Sequence, residues 1–288
     1  MHAAIEQVAR VIWLSNFSLD NLMALFYAAY FDASATSKRT DPAVLTVAGA
    51  IAPVKKWIRF EHDWKGVLKD EGVTEFHATD FAASQGEYAG WKGQKERRAS
   101  FLKRLGTLIQ RDANRLFMIT VELDAWKEVN KQYFLQERLH SPFALGGLSV
   151  LVQARKWARR KKIPENKIEF IFEQGDLDWG GLRDLAQHHK FDPIELPKAK
   201  AVPCQIGDLV AWKYRIAAVN SLRQLNKPKP QNLPDAIENL NIILKELASL
   251  DKIMLRPGFK GIYSEKNLIR TCEGSKIPKR SSDRIITL

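Results

Sequence analysis

The sequence predicts a mixed α/β domain, an α+β arrangement built on one mixed sheet. Two observations carry this. Apolar runs of strand length recur at residues 28–34, 44–52, 116–123 and 167–173. Between them lie longer segments with apolar residues at helical spacing. Strands interspersed with helices bury their apolar faces best as helices packed on a sheet. No internal repeat is visible, so a solenoid or array is not expected.

The elements follow in order. Residues 1–27 read as an N-terminal extension, with 1–20 either a short helix or a loosely attached segment. The strand at 28–34 ends at Asp32. Thr40, Asp41 and Pro42 mark the turn into the strand at 44–52. Pro53 opens a helix to about Lys69, with Trp57, Phe60, Trp64 and Val67 on one stripe. Residues 75–81 read as a short extended segment carrying His77 and Asp80, and 85–93 as a glycine-containing loop.

Residues 94–112 are helical by pattern, with Phe101, Leu105, Leu108 and Ile109 on the apolar face. After the strand at 116–123, helices are expected at 125–139 and 143–162, separated at Pro142. The strand at 167–173 precedes a short helix at 180–189 and a possible strand at 193–196. A helix follows at 205–222. A proline-rich connector, 226–234, then leads to a helix at 235–249 and a basic tail at 252–284.

Composition narrows the function classes. Of 288 residues, 45% are hydrophobic and 27% charged, ordinary values for a globular chain. The net charge is +12, and it is uneven. Residues 1–149 hold 19 basic and 17 acidic groups, a net of +2, whereas residues 150–288 hold 26 and 16, a net of +10. A basic half suits a polyanion, nucleic acid first and an acidic membrane second; a solvated basic surface is the bland alternative. Cys204 and Cys272 are too few for a disulfide framework, and no CxxC pattern occurs, so a cytoplasmic setting is expected. The apolar stretch at 22–31 is too short to span a bilayer. Glu6 and Arg10 precede any apolar run, which makes a poor signal peptide. GxxxxGK[ST], GxGxxG and GxSxG are absent, leaving triphosphate, dinucleotide and serine-hydrolase readings without support.

Three acids stand where a merely solubilising charge is not expected. Asp32 ends the most apolar strand. Glu173 ends the strand IEFIFE, where Ile171 and Glu173 face opposite to Ile168, Phe170 and Phe172. Asp208 lies among apolar neighbours near a helix start. A carboxylate in such a setting is costly unless it is paired or binds a cation. Three converging would form a hard oxygen-rich pocket suited to Mg²⁺ or Mn²⁺. Two such ions, ~3.5–4 Å apart, activate water and stabilise the leaving oxygen of a phosphodiester. Each acid also has a structural alternative. Asp32 can form a turn with Ser34, Asp208 can cap its helix, and Glu173 can pair with a basic neighbour.

At these residues the chain resembles the family called domain of unknown function 3800. Tyr30-Phe31-Asp32-Ala33-Ser34 looks like its Y-x-D-E-S-G opening, and residues 45–52 look like its second strand. Residues 76–81 (FHATDF) are similar to its F-H-x-x-D segment, 170–176 (FIFEQGD) to its glutamate strand, and 205–212 (QIGDLVAW) to its closing Q-x-A-D-x-x-A-aromatic helix. Ala33 and Ala35 stand where that family usually has Glu and Gly, and Gly207 replaces the usual Ala.

The resemblance implies a ribonuclease H-like fold over about 28–225, with a helical insertion, 54–113, between the second and third strands. It also implies a metal-dependent nuclease. Asp32, Glu173 and Asp208 would be the metal ligands and His77 and Asp80 assisting catalytic residues, with hydrolysis leaving a 3′-hydroxyl and a 5′-phosphate. On that reading residues 226–288 form a C-terminal helix and basic tail.

Other residues extend the expectation toward DNA or RNA. The segment at 155–162 (RKWARRKK) is strongly basic. With Leu148, Leu151, Ala154 and Ala158 buried, Arg155, Arg159 and Lys162 would share another helix face and contact phosphates. Trp91 and Trp179 lie beside glycines and could stack on bases. Asp176 and Asp178 read as turn residues, and His188 and His189 as a helix terminus. The rival functions are a nucleic-acid-binding or scaffold protein with a degenerate site, favoured by Ala33, and an enzyme acting on small phosphate esters.

Overall fold

The computed structural model describes residues 26–35, 43–175, 178–225 and 259–280. The expectations for 1–20, for the turn at 40–42, for Asp176, for the connector at 226–234 and for the helix at 235–249 lie outside these residues.

Six strands form one sheet: β1 (Tyr27–Ala35), β2 (Val44–Pro53), β3 (Arg115–Glu122), β4 (Ile168–Glu173), β5 (Ile194–Leu196) and β6 (Phe259–Tyr263), in the order β5-β4-β1-β2-β3-β6. β2 pairs antiparallel with β1 and β3, while the β1–β4, β4–β5 and β3–β6 pairs are parallel. A mixed α/β class is therefore observed.

The sheet is buried on both faces because its strands carry apolar side chains both ways. On one face Ala28, Tyr30, Ala48, Ala50, Met118 and Ile171 meet α1 (Val54–Asp70), α2 (Ala78–Ala83), α3 (Lys95–Asp112) and α8 (Cys204–Leu225). On the other, Phe31, Val47, Phe117, Ile119 and Phe172 meet α4 (Leu123–Gln132), α5 (Leu135–Leu139), α6 (Pro142–Arg160), α7 (Trp179–His188) and α9 (Glu265–Gly274). The stripe Trp57, Phe60, Trp64 and Val67 is buried as its spacing predicts, as are Phe101, Leu105, Leu108 and Ile109. Helices α1 to α3 lie between β2 and β3.

Three expectations need correction. Residues 78–83 are a helical turn rather than extended chain, because Asp208 receives the first backbone N–H of α2. The helix expected at 125–139 is two, parted where Tyr133 bridges to Lys279. The described part of 252–284 is no tail: 259–263 add β6 beside β3, and α9 buries Leu268 and Cys272 against the second core. Among the described residues, no helix is long and apolar enough to cross a membrane.

Candidate functional site

Parallel pairing brings two of the acids together. Tyr30 pairs with Ile171 and Phe31 with Phe172, so Asp32 and Glu173 follow on adjacent strands at the same end of the sheet. Alternation turns both toward the α8 face, where Tyr30 and Ile171 lie. Small side chains on that face, Ala28, Ala48 and Ala50, let α8 come close. Contact is close at Gly207, where a Cβ would stand 2.7 Å from the Asp32 backbone nitrogen and 3.0 Å from the Ala48 carbonyl oxygen. The glycine is thus a condition of close approach, and its neighbour Asp208 is delivered to the strand ends.

The three carboxylates line one pocket of about 250 Å³, with Ser34, His77, Thr79, Gln174 and Lys198. Asp32 and Asp208 are 7% and 6% exposed. That volume lies below the ~300–1,000 Å³ of whole small-molecule sites. It admits ions, water and a phosphate group rather than an entire nucleotide.

A lysine the sequence reading passed over stands at its centre. Lys198, on the single turn after β5, places Nζ 3.2 Å from Glu173 Oε1 and 3.1 Å from Asp208 Oδ2. Burial works against its charge, but Asp208, Glu173 and Asp32 outweigh it and hold the ammonium above the ordinary lysine value. Glu173 is raised as well: burial pushes its carboxyl up, against the pull of Lys198. Its Oε2 is buried with no hydrogen-bond partner. The pairing foreseen as a structural alternative for Glu173 is therefore present.

Asp208 has a second duty. Its Oδ2 accepts from the Ala78 N–H at 3.0 Å, so it holds the start of α2. Being in the second turn of α8, it does not cap its own helix. Three residues earlier, Gln205 Oε1 accepts from Trp64 Nε1 and the Phe76 N–H, both at 2.8 Å. One end of α8 thus staples residues 76–78 beside the pocket. His77 faces the pocket there, its Nδ1 3.0 Å from Asp80 Oδ2; Asp80 supports the ring from outside the pocket lining. On the far side Arg215 donates from Nε to Ser34 Oγ at 3.0 Å, a second cation the sequence reading missed.

Donor chemistry fits a hard divalent ion: three carboxylates, hydroxyls nearby, and a buried carboxyl oxygen without a partner. Among the described residues, however, no three His, Cys, Asp or Glu side chains are drawn together at ligating distances. The ammonium of Lys198 takes two of the oxygens instead. Ala33 packs on the opposite core.

The basic residues do not form the expected stripe. The guanidinium of Arg155 is spent inside the fold: it donates to the His189 and Lys190 carbonyls at 2.9 and 2.6 Å and stacks on Phe191. Arg159 pairs with Glu165 at 2.7 Å. Lys162 lies beyond the helix end, at φ 58°, and leaves the helical face. Moreover, α6 covers the face of the sheet opposite the carboxylates. Trp91 is buried in the first core, while Trp179 is half-buried and packs on Phe172. Asp178 caps α7 through Gly181 N–H, as a turn residue should. His188 and His189 sit at that helix's end.

No family model matches the chain, and no curated protein matches it.

Proposed function

We propose that the protein is a divalent-metal-dependent nuclease of ribonuclease H-like fold, acting on DNA or RNA with Mg²⁺ or Mn²⁺. The observation that carries this reading is the meeting of Asp32, Glu173 and Asp208, from two parallel strands and a late helix, in one pocket. That is the placement implied by the resemblance to the domain of unknown function 3800 family.

Asp32, Glu173 and Asp208 would hold the metal, which supplies a water nucleophile at neutral pH and charge neutralisation at phosphorus. The chain's own residues do the rest. His77, oriented through Nδ1 by Asp80, keeps Nε2 for moving a proton between water and the leaving 3′-oxygen. Water oxygen bonds to phosphorus as the bond from phosphorus to the 3′-oxygen breaks, and that oxygen leaves with a proton. Ser34, which lines the pocket and is held by Arg215 Nε, supplies a donor to a phosphate oxygen.

The test is Asp32→Asn, which keeps shape and removes charge. Cleavage of a panel of single- and double-stranded DNA and RNA should fall by at least ~10³-fold, comparable to losing a principal catalytic group. Mn²⁺ binding by calorimetry should weaken with it, and the circular dichroism spectrum should stay unchanged. Full activity in the purified variant places the chemistry elsewhere.

A second reading, a nucleic-acid-binding protein with a degenerate site, is favoured by one observation. The site already holds a cation, Lys198, across two of its acids. Tight nucleic-acid binding without Mn²⁺ uptake by the wild-type protein would select it.

A further inference from the structure

We propose that Lys198 is the resident cation of the pocket, which a divalent ion must displace before it can engage Glu173 and Asp208 together. This rests on the metal-site reading above and adds to it a metal-free resting state that the chain itself neutralises.

The geometry supports an exchange rather than coexistence. Nζ lies 3.2 Å from Glu173 Oε1 and 3.1 Å from Asp208 Oδ2, so it spans the two acids, and Asp32 acts on the same charge. An ion bound to those same oxygens would stand within a few ångströms of the ammonium. Two like charges so close repel each other, and a partly buried site screens that repulsion less than water does. The lysine must therefore leave as the ion enters.

It is built to leave. The side chain is a flexible four-carbon stem ending in a point charge. It reaches in from a single turn, Lys198–Lys200, that follows the three-residue edge strand β5. What stays behind is ready for a ligand: Asp208 remains anchored by the Ala78 N–H, and Glu173 keeps a buried oxygen without a hydrogen bond. A purely structural ion pair would account for the lysine but not for that second carboxyl oxygen, buried beside it without a protein partner.

Calorimetric titration of the full chain with Mn²⁺, at fixed salt, tests this with Lys198→Met. Freed of its competitor, the variant should bind Mn²⁺ at least tenfold more tightly than wild type. In EDTA it should melt lower, because two buried acids lose their counter-ion, and Mn²⁺ should raise its melting temperature more than it raises the wild type's. If Lys198→Met does not fold, Lys198→Gln, which keeps a donor for one acid, is read in the same titration.

Mn²⁺ binding by wild type that is equal or tighter than the variant's overturns the exchange and leaves the metal site standing. No Mn²⁺ uptake by either protein overturns the metal reading and the exchange together, so the wild-type titration alone tells the two failures apart.

Discussion

At the scale of single residues, Glu173 contributes a pH dependence to the protein's stability. Burial raises its pKa from the ordinary 4.5, against the pull of Lys198, so in the window just above 4.5 the folded state binds more proton than the unfolded chain does. For a raised acid the stabilising contribution is complete below 4.5 and fades as pH climbs through the folded value. Ionising Glu173 therefore costs stability at neutral pH. Glu173→Gln, permanently neutral, should melt higher than wild type at pH 7 in EDTA, with the gain vanishing as the pH is lowered toward 4. A variant that melts lower at pH 7 would show that the pair with Lys198 outweighs burial. The acid itself was legible in the sequence, since a carboxylate closing an apolar strand is conspicuous. Lys198 was not: in PKAK it looks like any solvated loop lysine, and only the parallel β4–β5 pairing carries it inward. Arg155 misled for the converse reason. Its helical position was read correctly, but the carbonyls that consume it belong to the end of α7, thirty-four residues on.

At the scale of elements, the site depends on how closely α8 rides on β1 and β2. Gly207→Ala tests that dependence. The added methyl would meet the Asp32 backbone nitrogen and Cβ, both at 2.7 Å, and neither can rotate away. Overpacking of this kind costs about 1–3 kcal/mol. Here it should also move Asp208 from Asp32. Urea unfolding should show the loss in stability, and Mn²⁺ affinity should fall although no carboxylate has changed. An unaltered midpoint and affinity would mean that α8 can shift freely and does not define the pocket. Element types were largely readable, because the apolar stripes of α1, α3 and α6 and the strands β1 to β4 are strongly periodic. The exceptions have tertiary causes. Residues 75–81 suggested a strand, but Phe76 and Phe81 each fill the aromatic core under α8, and the Ala78 N–H, donating to the Asp208 carboxylate, starts a helical turn between them.

Taken whole, the molecule closes only with its C-terminal segment in place. β6 covers the β3 edge in parallel register from Phe117–Phe259 to Val121–Tyr263, and an uncovered strand edge invites aggregation. α9 adds Leu268 and Cys272, both 0% exposed, and Ile277 completes that patch. Polar ties reinforce the seam: Ser149 Oγ meets Tyr263 OH at 3.0 Å, the Phe134 N–H donates to the Pro278 carbonyl, and the Arg280 N–H donates to the Gln132 carbonyl. None of this shows in the sequence, where a basic, proline-flanked stretch reads as an appendage, because the sheet contact it makes joins residues some 140 positions apart. Fully burying one Leu-sized side chain is worth ~1.5–3 kcal/mol, against the ~5–15 kcal/mol that separates folded from unfolded domains. Ending the chain at residue 258 removes two fully buried side chains, an edge strand and several hydrogen bonds at once. The truncated protein should be insoluble, or should show a lowered melting temperature and rapid proteolysis within α4 to α6, while the carboxylates on the other face of the sheet are untouched in sequence. If it instead stays soluble, melts as the full chain does and keeps its Mn²⁺ binding, the segment contributes no stability, and the five remaining strands suffice to hold the pocket.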